Sequence, residues 1–550
     1  MIRICISFVV ILAMTGCTSS APTADLILTG GHVMSGSNPT ATAIAVKGNR
    51  IMAVGSDEDI AELLGADTKV VPLDGAYVSP GFNDSHAHLM GLGASLSRVD
   101  LVGTTSPDAI LALVQAANAE LSQGLWLRGG GWDQNDWSVQ EYPTAQMLDT
   151  VTSERPIILR RIDGHASWVN SAALAAAGIT RDTLDPAGGE IVRDAEGNPT
   201  GILIDNAVSL VGAIIPETSM AELERRLDLA IAHCWANGLT GMHDAGVDWT
   251  TAQIYERRAA ANDLNFRIYG MYSSDETTLA NGLQRGPFTS ADSLLSFRAI
   301  KIYGDGALGS RGALLLEDYT DQPGHRGLPV TSAADMKDII VRGAAAGFQL
   351  CTHAIGDGGN RLVLDLYENE LIKSESQDQR WRVEHAQILD PVDIPRFGEL
   401  GVIASMQPTH CTSDMDWAST RLGDDRLAGA YAWRSLLDSG AKLCFGTDFP
   451  VERVNPFHGL YSARTRTHHD GAPQGGWRAQ EALTGAEAHE LYTAGSAYAS
   501  FQEDKLGRLE PGFWADLTVL NGDPANCAAA DLLTMQAVHT VVAGQLVYSR

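Results

Sequence analysis

The chain has 550 residues, with 39 basic against 67 acidic side chains, a formal net charge of -28, and 45% hydrophobic and 19% charged content. That length exceeds one small core and calls for a large domain with a smaller one appended. The ordinary composition, without charge runs, tandem repeats or low-complexity tracts, excludes disorder, and the acidity excludes a partner recognised through its phosphates, nucleic acid first of all.

Residues 1–17, "MIRICISFVVILAMTGC", carry one early cation, Arg3, then an apolar run too short to span a bilayer, then small residues before Cys17. The stretch resembles a bacterial lipoprotein signal, with Met14 where leucine is commoner. The resemblance implies removal of residues 1–16, a lipid on Cys17, and a cell-envelope protein that touches the membrane only through that lipid. Thr18 lacks the aspartate associated with inner-membrane retention, which points to the outer membrane, on its periplasmic or surface side. An ordinary cleaved secretory signal is the alternative. The seven cysteines form no close-spaced set, and Cys351 and Cys444 sit in apolar runs, so they read as buried thiols and no disulfide is expected to be essential.

Between Asp25 and Val54, short apolar runs broken by glycine turns predict a small antiparallel sheet, and residues 514–524 and 538–549 have the same character. Both termini, 17–79 and 501–550, are therefore expected to build one small β-sandwich domain. The portion between, 80–500, repeats apolar strands followed by helical stretches, which predicts an α/β architecture, a (β/α)8 TIM-like barrel. The interval from His86 to Lys301 is longer than three barrel units require, so an inserted subdomain is placed at about 124–224, where glycine turns alternate with short elements. "GDGALGS", residues 304–310, has glycine spacing but serine where a phosphate-binding lysine belongs, and nucleotide binding is rejected.

Barrel enzymes carry their chemistry at the C-terminal ends of strands. In this chain His86 and His88 end one apolar run, "FNDSHAH", with both imidazoles on one face if the segment is extended; Lys301 lies in "KIYGDG", His353 in "CTHAIGD", His385 in "VEHAQ" and Asp448 in "GTDFP". A lone strand histidine is more often a satisfied core residue than a ligand. Six polar residues at five predicted strand ends argue for a metal site instead.

The ordered set "PGFNDSHAH", "GGGWD", "DGHASWVNS", "TGMHDAG", "KIYGDG", "THAIGDG", "VEHAQ", "MQPTH", "FGTDFPVE" and "GRLEPGFWADLTVL" resembles the metal-dependent amidohydrolase superfamily, in particular the family 3 branch that includes N-substituted formamide deformylase. The resemblance implies that His86, His88 and Asp448 hold one metal, that His353 and His385 hold another, and that Lys301, as a carbamate (N6-carboxylysine), bridges them. Two divalent cations, expected to be zinc, then lower the pKa of a shared water so that it attacks a C–N bond of a small molecule, with Asp448 as proton shuttle. A salt bridge to Asp305 is the plain alternative for Lys301. Rival readings are a single-metal heterocycle deaminase, an ester or lactone hydrolase, and a non-catalytic surface lipoprotein that keeps the fold.

Around this set, Asp84, Asp244, Asp305, Asp357 and Glu384 either orient ligand imidazoles or cap turns. His165, His243 and His410 either reach substrate or serve the core. Trp132, Trp137 and Trp168 either wall an apolar pocket or are simply buried. Arg421 and Arg426 either bind a substrate carboxylate or lie on solvated helix faces.

Overall fold

The computed structural model describes residues 22–550 except 163, 217 and 374–377, so the signal segment and Cys17 lie outside the described residues. Its centre is a run of eight parallel strands in chain order: β1 (Phe82–Ala87), β2 (Leu239–Val247), β3 (Arg267–Ser273), β4 (Leu295–Tyr303), β5 (Gln349–Ala354), β6 (Arg382–His385), β7 (Ile403–Met406) and β8 (Lys442–Phe445). These strands are buried along nearly their whole length, as parallel strands covered on both faces must be. Phe82, Met242, Ile268, Phe297, Ile300, Leu350 and Val383 share one apolar core with Leu227, Ile231, Ile340 and Leu364 of the surrounding helices. Inside the barrel, Ala245, Tyr269, Met271, Ala299 and Cys351 form a separate small cluster.

The sheet curls until β8 and β1 nearly meet. No named ladder joins them; the closure is made just beyond the strands, where the Asp448 N–H donates to His86 O at 2.7 Å and the His88 N–H donates to Phe449 O at 2.8 Å. Asp84 pins the same join. Its carboxylate accepts the Thr447 N–H at 3.0 Å and the Thr447 hydroxyl at 2.7 Å. Burial pushes its pKa up to about 7 against those hydrogen bonds. A Cβ at Gly446 would lie 2.5 Å from both Asp84 Oδ1 and His86 N, so only glycine permits this approach.

Between β1 and β2 stands a six-stranded sheet built from Val99–Asp100, Leu127–Trp132, Ile157–Arg161, Ala166–Val169, Gly189–Arg193 and Pro199–Asp205. It thus runs from Val99 to Asp205, earlier at both ends than the expected 124–224. The chain returns to the barrel through helix α2 (Met220–Ala236), capped by Ser219 and packed on helix α1 (Leu89–Leu96).

The two chain ends meet in one five-stranded sheet, in which His32–Val33 and Tyr77–Pro80 are joined by Leu517–Leu520, Ala537–Val542 and Gln545–Ser549. A four-stranded sheet from Leu26 to Pro72 shares its apolar core, with Leu28, Ile44 and Val46 packing with Val78, Leu517 and Val541. This unit is fastened to the barrel by a buried ion pair. Arg267, at the start of β3, meets Asp516 at 2.7 and 3.0 Å with its guanidinium 3.9 Å over the Trp514 ring. Among the described residues no helix is long and apolar enough to cross a membrane.

Candidate metal centre

Alternation along β1 turns His86 into the barrel, and His88 stands at the N-cap of α1, so the two rings meet edge to face with centroids 5.7 Å apart. Each is oriented through Nδ1. His86 Nδ1–H donates to Glu384 Oε2 at 2.5 Å, and His88 Nδ1–H donates to the carbonyl of Ala245 at 2.9 Å. His385 is held the same way, Nδ1–H to Gln407 Oε1 at 2.7 Å. These partners set the tautomers so that each Nε2 carries its lone pair away from the anchor, the form a metal requires.

Glu384 performs its task because of Arg382. The two lie on the same face of β6, both fully buried, with Arg382 Nε 2.7 Å from Glu384 Oε1. Burial alone would raise the Glu384 pKa, yet Arg382 and His86 hold it well below the ordinary carboxylate range. The terminal nitrogens of Arg382 donate to Ser85 O, Ser405 Oγ and His243 Nδ1 at 2.6, 2.8 and 2.8 Å.

Asp448 faces this group from beyond β8. Its Oδ1 is 3.1 Å from His88 Nε2 and its Oδ2 is 3.6 Å from His410 Nε2. Both Asp448 and His385 adopt left-handed backbone, φ +61° and +77°, which costs about 1–3 kcal/mol each in a non-glycine residue and is tolerated where the surroundings over-determine it. Two groups of ligand atoms converge within 4.8 Å: His86, His88 and Asp448, and His385, His410 and Asp448. His353 belongs to neither, because its Nε2 turns toward Asp305 Oδ1, 3.5 Å away, although its ring centroid stays 4.6 Å from that of His385.

Lys301 lies between them, 1% exposed, with Nζ 3.0 Å from His86 Nε2. Burial pushes its pKa below the ordinary lysine range, against the pull of Glu384 and Asp448. The salt bridge to Asp305 does not form. The Asp305 carboxylate instead accepts the backbone N–H groups of Leu314, Ile355 and Gly356 at 2.8, 2.9 and 2.9 Å. Burial first, and the Lys301 charge second, press the pKa of His86 to about 4 and that of His353 to about 3, so the imidazoles are neutral and able to ligate.

Asp448 Oδ1, His353 Nε2 and His410 Nε2 are buried without hydrogen-bond partners among the described residues. An orphaned buried polar atom costs about 1–3 kcal/mol, and orphaned acceptors beside neutral imidazoles and a carboxylate suit a cation that takes them as ligands. The donor set therefore fits divalent metal. It opens into a cavity of about 590 Å3 walled by Tyr303, Leu308, Ile355, Trp417 and Val451, with Asp414 and Glu452 among its charged groups.

Other expected contacts fall elsewhere. Trp132, Trp137 and Trp168 pack together in the core of the added sheet, with the Trp132 indole N–H on Leu159 O at 2.8 Å, and none lines the cavity. His165, also in that layer, is exposed and bonded to Asp205, and His243 lies beneath the site against Arg382. Arg426 bridges Leu422 O, Asp318 O and Thr320 Oγ1, and Arg421 pairs with Asp321, so neither is free for a substrate. Of the five acidic candidates Glu384 alone takes a hydrogen bond from a ligand imidazole; Asp244 receives the N–H of Leu89 and the Tyr255 hydroxyl, and Asp357 receives the N–H of Leu316. Sequence reasoning passed over Arg382, Gln407, Tyr303 and Trp417. Gln407 directly follows β7, so the strand-end rule would have found it.

The model of the amidohydrolase family matches residues 69–548 of this chain. The chain belongs to that family. It is a hydrolase of carbon–nitrogen bonds. Among its relatives, the Bacillus subtilis strain 168 amidohydrolase YtcJ is 37% identical over 518 residues, 92% of this chain and 96% of the relative. The N-substituted formamide deformylase of Arthrobacter pascens is 30% identical over 542 residues, 96% of this chain and 98% of that protein. A solved metal-dependent hydrolase from Pyrococcus furiosus superposes with a TM-score of 0.73 at 29% identity, over 91% of this chain and all of the other.

The anchoring of His86 has a measurable consequence. Glu384→Gln keeps the shape but loses the anion that orients and polarises the imidazole, and metal affinity should fall about 10- to 100-fold. Competition with a chelator, with circular dichroism as a folding control, measures it; unchanged affinity contradicts the role.

Proposed function

We propose that this protein is a binuclear metal hydrolase that cleaves an amide-like bond of a small molecule with an apolar substituent. The observation that carries the reading is Lys301, a buried amine with its pKa lowered, within 3.0 Å of a ligand imidazole, while Asp305 is taken by backbone amides. A neutral amine can take up carbon dioxide, and the resulting carbamate is an anion suited to lie between two cations.

In this reading His86, His88 and Asp448 would hold one ion, His353 and His385 would hold another, and carboxylated Lys301 would add an anionic ligand, with zinc the metal that imidazole and carboxylate donors suit best. The bound cations supply Lewis acidity, lowering the pKa of water and polarising the scissile carbonyl. The chain's own part is positional and protic. Asp448 accepts a proton from the attacking water and returns it to the leaving nitrogen, a transfer its carboxylate suits because His88 and the neighbouring imidazoles keep it ionised despite burial. His410, facing Asp448 Oδ2, turns its Nε2 toward the reacting carbonyl. Trp417, Leu308 and Val451 take the apolar substituent and exclude water from it. The resemblance to a formamide deformylase supports N-substituted amides as the substrate class.

A one-metal enzyme is the second reading, favoured by the compact grouping of His86, His88 and Asp448 without His353. A panel of N-formyl and N-acyl amines, assayed with metal content per chain, separates the two. The expected outcome is amide turnover with close to two metals per chain, abolished in Asp448→Asn. One metal per active chain selects the second reading, and free ester or lactone cleavage with no amide turnover overturns the amide assignment.

The apolar run ending at Cys17 supports a lipid anchor in the bacterial cell envelope, on the outer membrane. Labelled fatty acid should enter the wild type and not Cys17→Ser; equal labelling of both contradicts the anchor.

A further inference from the structure

A second cavity, of about 170 Å3, lies where the added sheet meets the barrel, and it shares no lining residue with the metal cavity. Among the described residues its charged groups are Arg98, Arg128, Arg225 and Arg226 against one carboxylate, Glu222. In a chain with 67 acidic and 39 basic residues such an excess of cations is unexpected, because the protein has carboxylates to spare for pairing arginines. Elsewhere it does so, as at Arg396 with Asp365, Glu368 and Asp393.

Glu222 does not neutralise the cluster. Its carboxylate meets Arg225 Nε at 2.8 Å, Arg225 Nη2 at 2.9 Å and Arg226 Nε at 3.1 Å, so both oxygens are already engaged. Among the described residues neither Arg98 nor Arg128 has a side-chain hydrogen bond or an ion pair. The charges that face Arg98 are Arg226 and Arg160; those that face Arg128 are Arg98, Arg226 and Glu222. Burial, together with this repulsion, presses both guanidinium groups below the ordinary arginine range. Arg98 stands at the exposed rim and Arg128 is partly buried.

The apolar part of the lining is made by Leu121, Leu125, Trp126, Ile215 and Pro216. The combination selects an amphiphile. Guanidinium forks recognise oxyanions through paired, charge-assisted hydrogen bonds, and the leucine, isoleucine and tryptophan surface accepts a hydrocarbon group.

We propose that this junction is a binding site for a small anion with an apolar tail, its oxyanion held by Arg98 and Arg128 and its tail against Leu121, Leu125 and Trp126. Occupation would tie three parts together: the loop after α1, the strand Leu127–Trp132 of the added sheet, and α2 of the barrel. It would relieve the repulsion among the arginines and clamp the added sheet to the barrel at a place where cations now face one another.

The test is calorimetric titration of the metal-loaded full-length protein, at fixed ionic strength, with hexanesulfonate, inorganic sulfate and hexanol. Sulfonate and sulfate are poor ligands for metal, which keeps the readout away from the hydrolytic centre. Hexanesulfonate should bind saturably at one site per chain, more tightly than sulfate, while hexanol should not bind. Arg98→Gln with Arg128→Gln should weaken hexanesulfonate at least about tenfold, the size expected for loss of charge-assisted hydrogen bonds, and leave amide hydrolysis unchanged. Should the double variant fail to fold, Arg98→Gln alone, at the exposed rim, must still weaken binding measurably. Absence of saturable binding, equal binding by wild type and variant, or hexanol binding as tightly as hexanesulfonate would overturn the proposal.

Discussion

The buried pair of Arg382 and Glu384 is the interaction on which the centre depends. A barrel of this kind is usually filled by layers of apolar side chains. Here β6 sends a guanidinium and a carboxylate inward, both 0% exposed. Two charges in such a place are costly unless each is paired and every remaining hydrogen-bonding position is filled. The two charges pair with each other at 2.7 Å, and residues of β1, β2 and β7 supply further partners: Ser85 O, His243 and Ser405 around Arg382, and His86 around Glu384. The pair thus joins four strands and fixes the direction of the first imidazole of the site. Breaking one partner leaves the other charge buried and alone, so barrel interior and metal centre are coupled by the same atoms.

From that anchor the chemistry builds outward in the order of depth. Fully buried groups are polar and interlocked; above them the neutral imidazoles and Lys301 gather; above those comes the cavity, walled mainly by Tyr303, Leu308, Ile355, Trp417 and Val451. A polar floor with apolar walls suits a ligand whose reacting end is small and polar and whose remainder is hydrocarbon. Because the walls come from the barrel's own loops and, among the described residues, none of the added sheet lines this cavity, changes within the sheet's tryptophan core should not be expected to retune substrate choice directly.

Much of this was legible in the sequence because parallel strands announce themselves twice, by an apolar run and by the polar residue that ends it. His86, His88, Lys301, His353, His385 and Asp448 all fall at such ends, and the structure gathers them around one cavity. What the sequence left open was partnership. Trp132 and Trp168 look alike whether they face a pocket or a core, and only the fold reveals that they pack against each other with centroids 6.3 Å apart. Arg382 carries no sequence signal that sets it apart, and its role appears only where the barrel closes around it. Asp305, an even choice between a ligand imidazole and a turn, is claimed by three backbone amides that lie up to 51 residues away. The added sheet was misjudged at its start because its first strand, Val99–Asp100, has only two residues and carries no periodic signal.

The central claim is that the histidines, Lys301 and Asp448 form one metal centre with a modified lysine at its middle. Anomalous diffraction at the zinc absorption edge, from crystals of zinc-loaded protein, tests it most directly. The account predicts one peak bounded by His86, His88 and Asp448, a second bounded by His353 and His385, and electron density for a carboxylated Lys301 joining them. Density for an unmodified Lys301 with a single peak, or peaks away from these side chains, would contradict it.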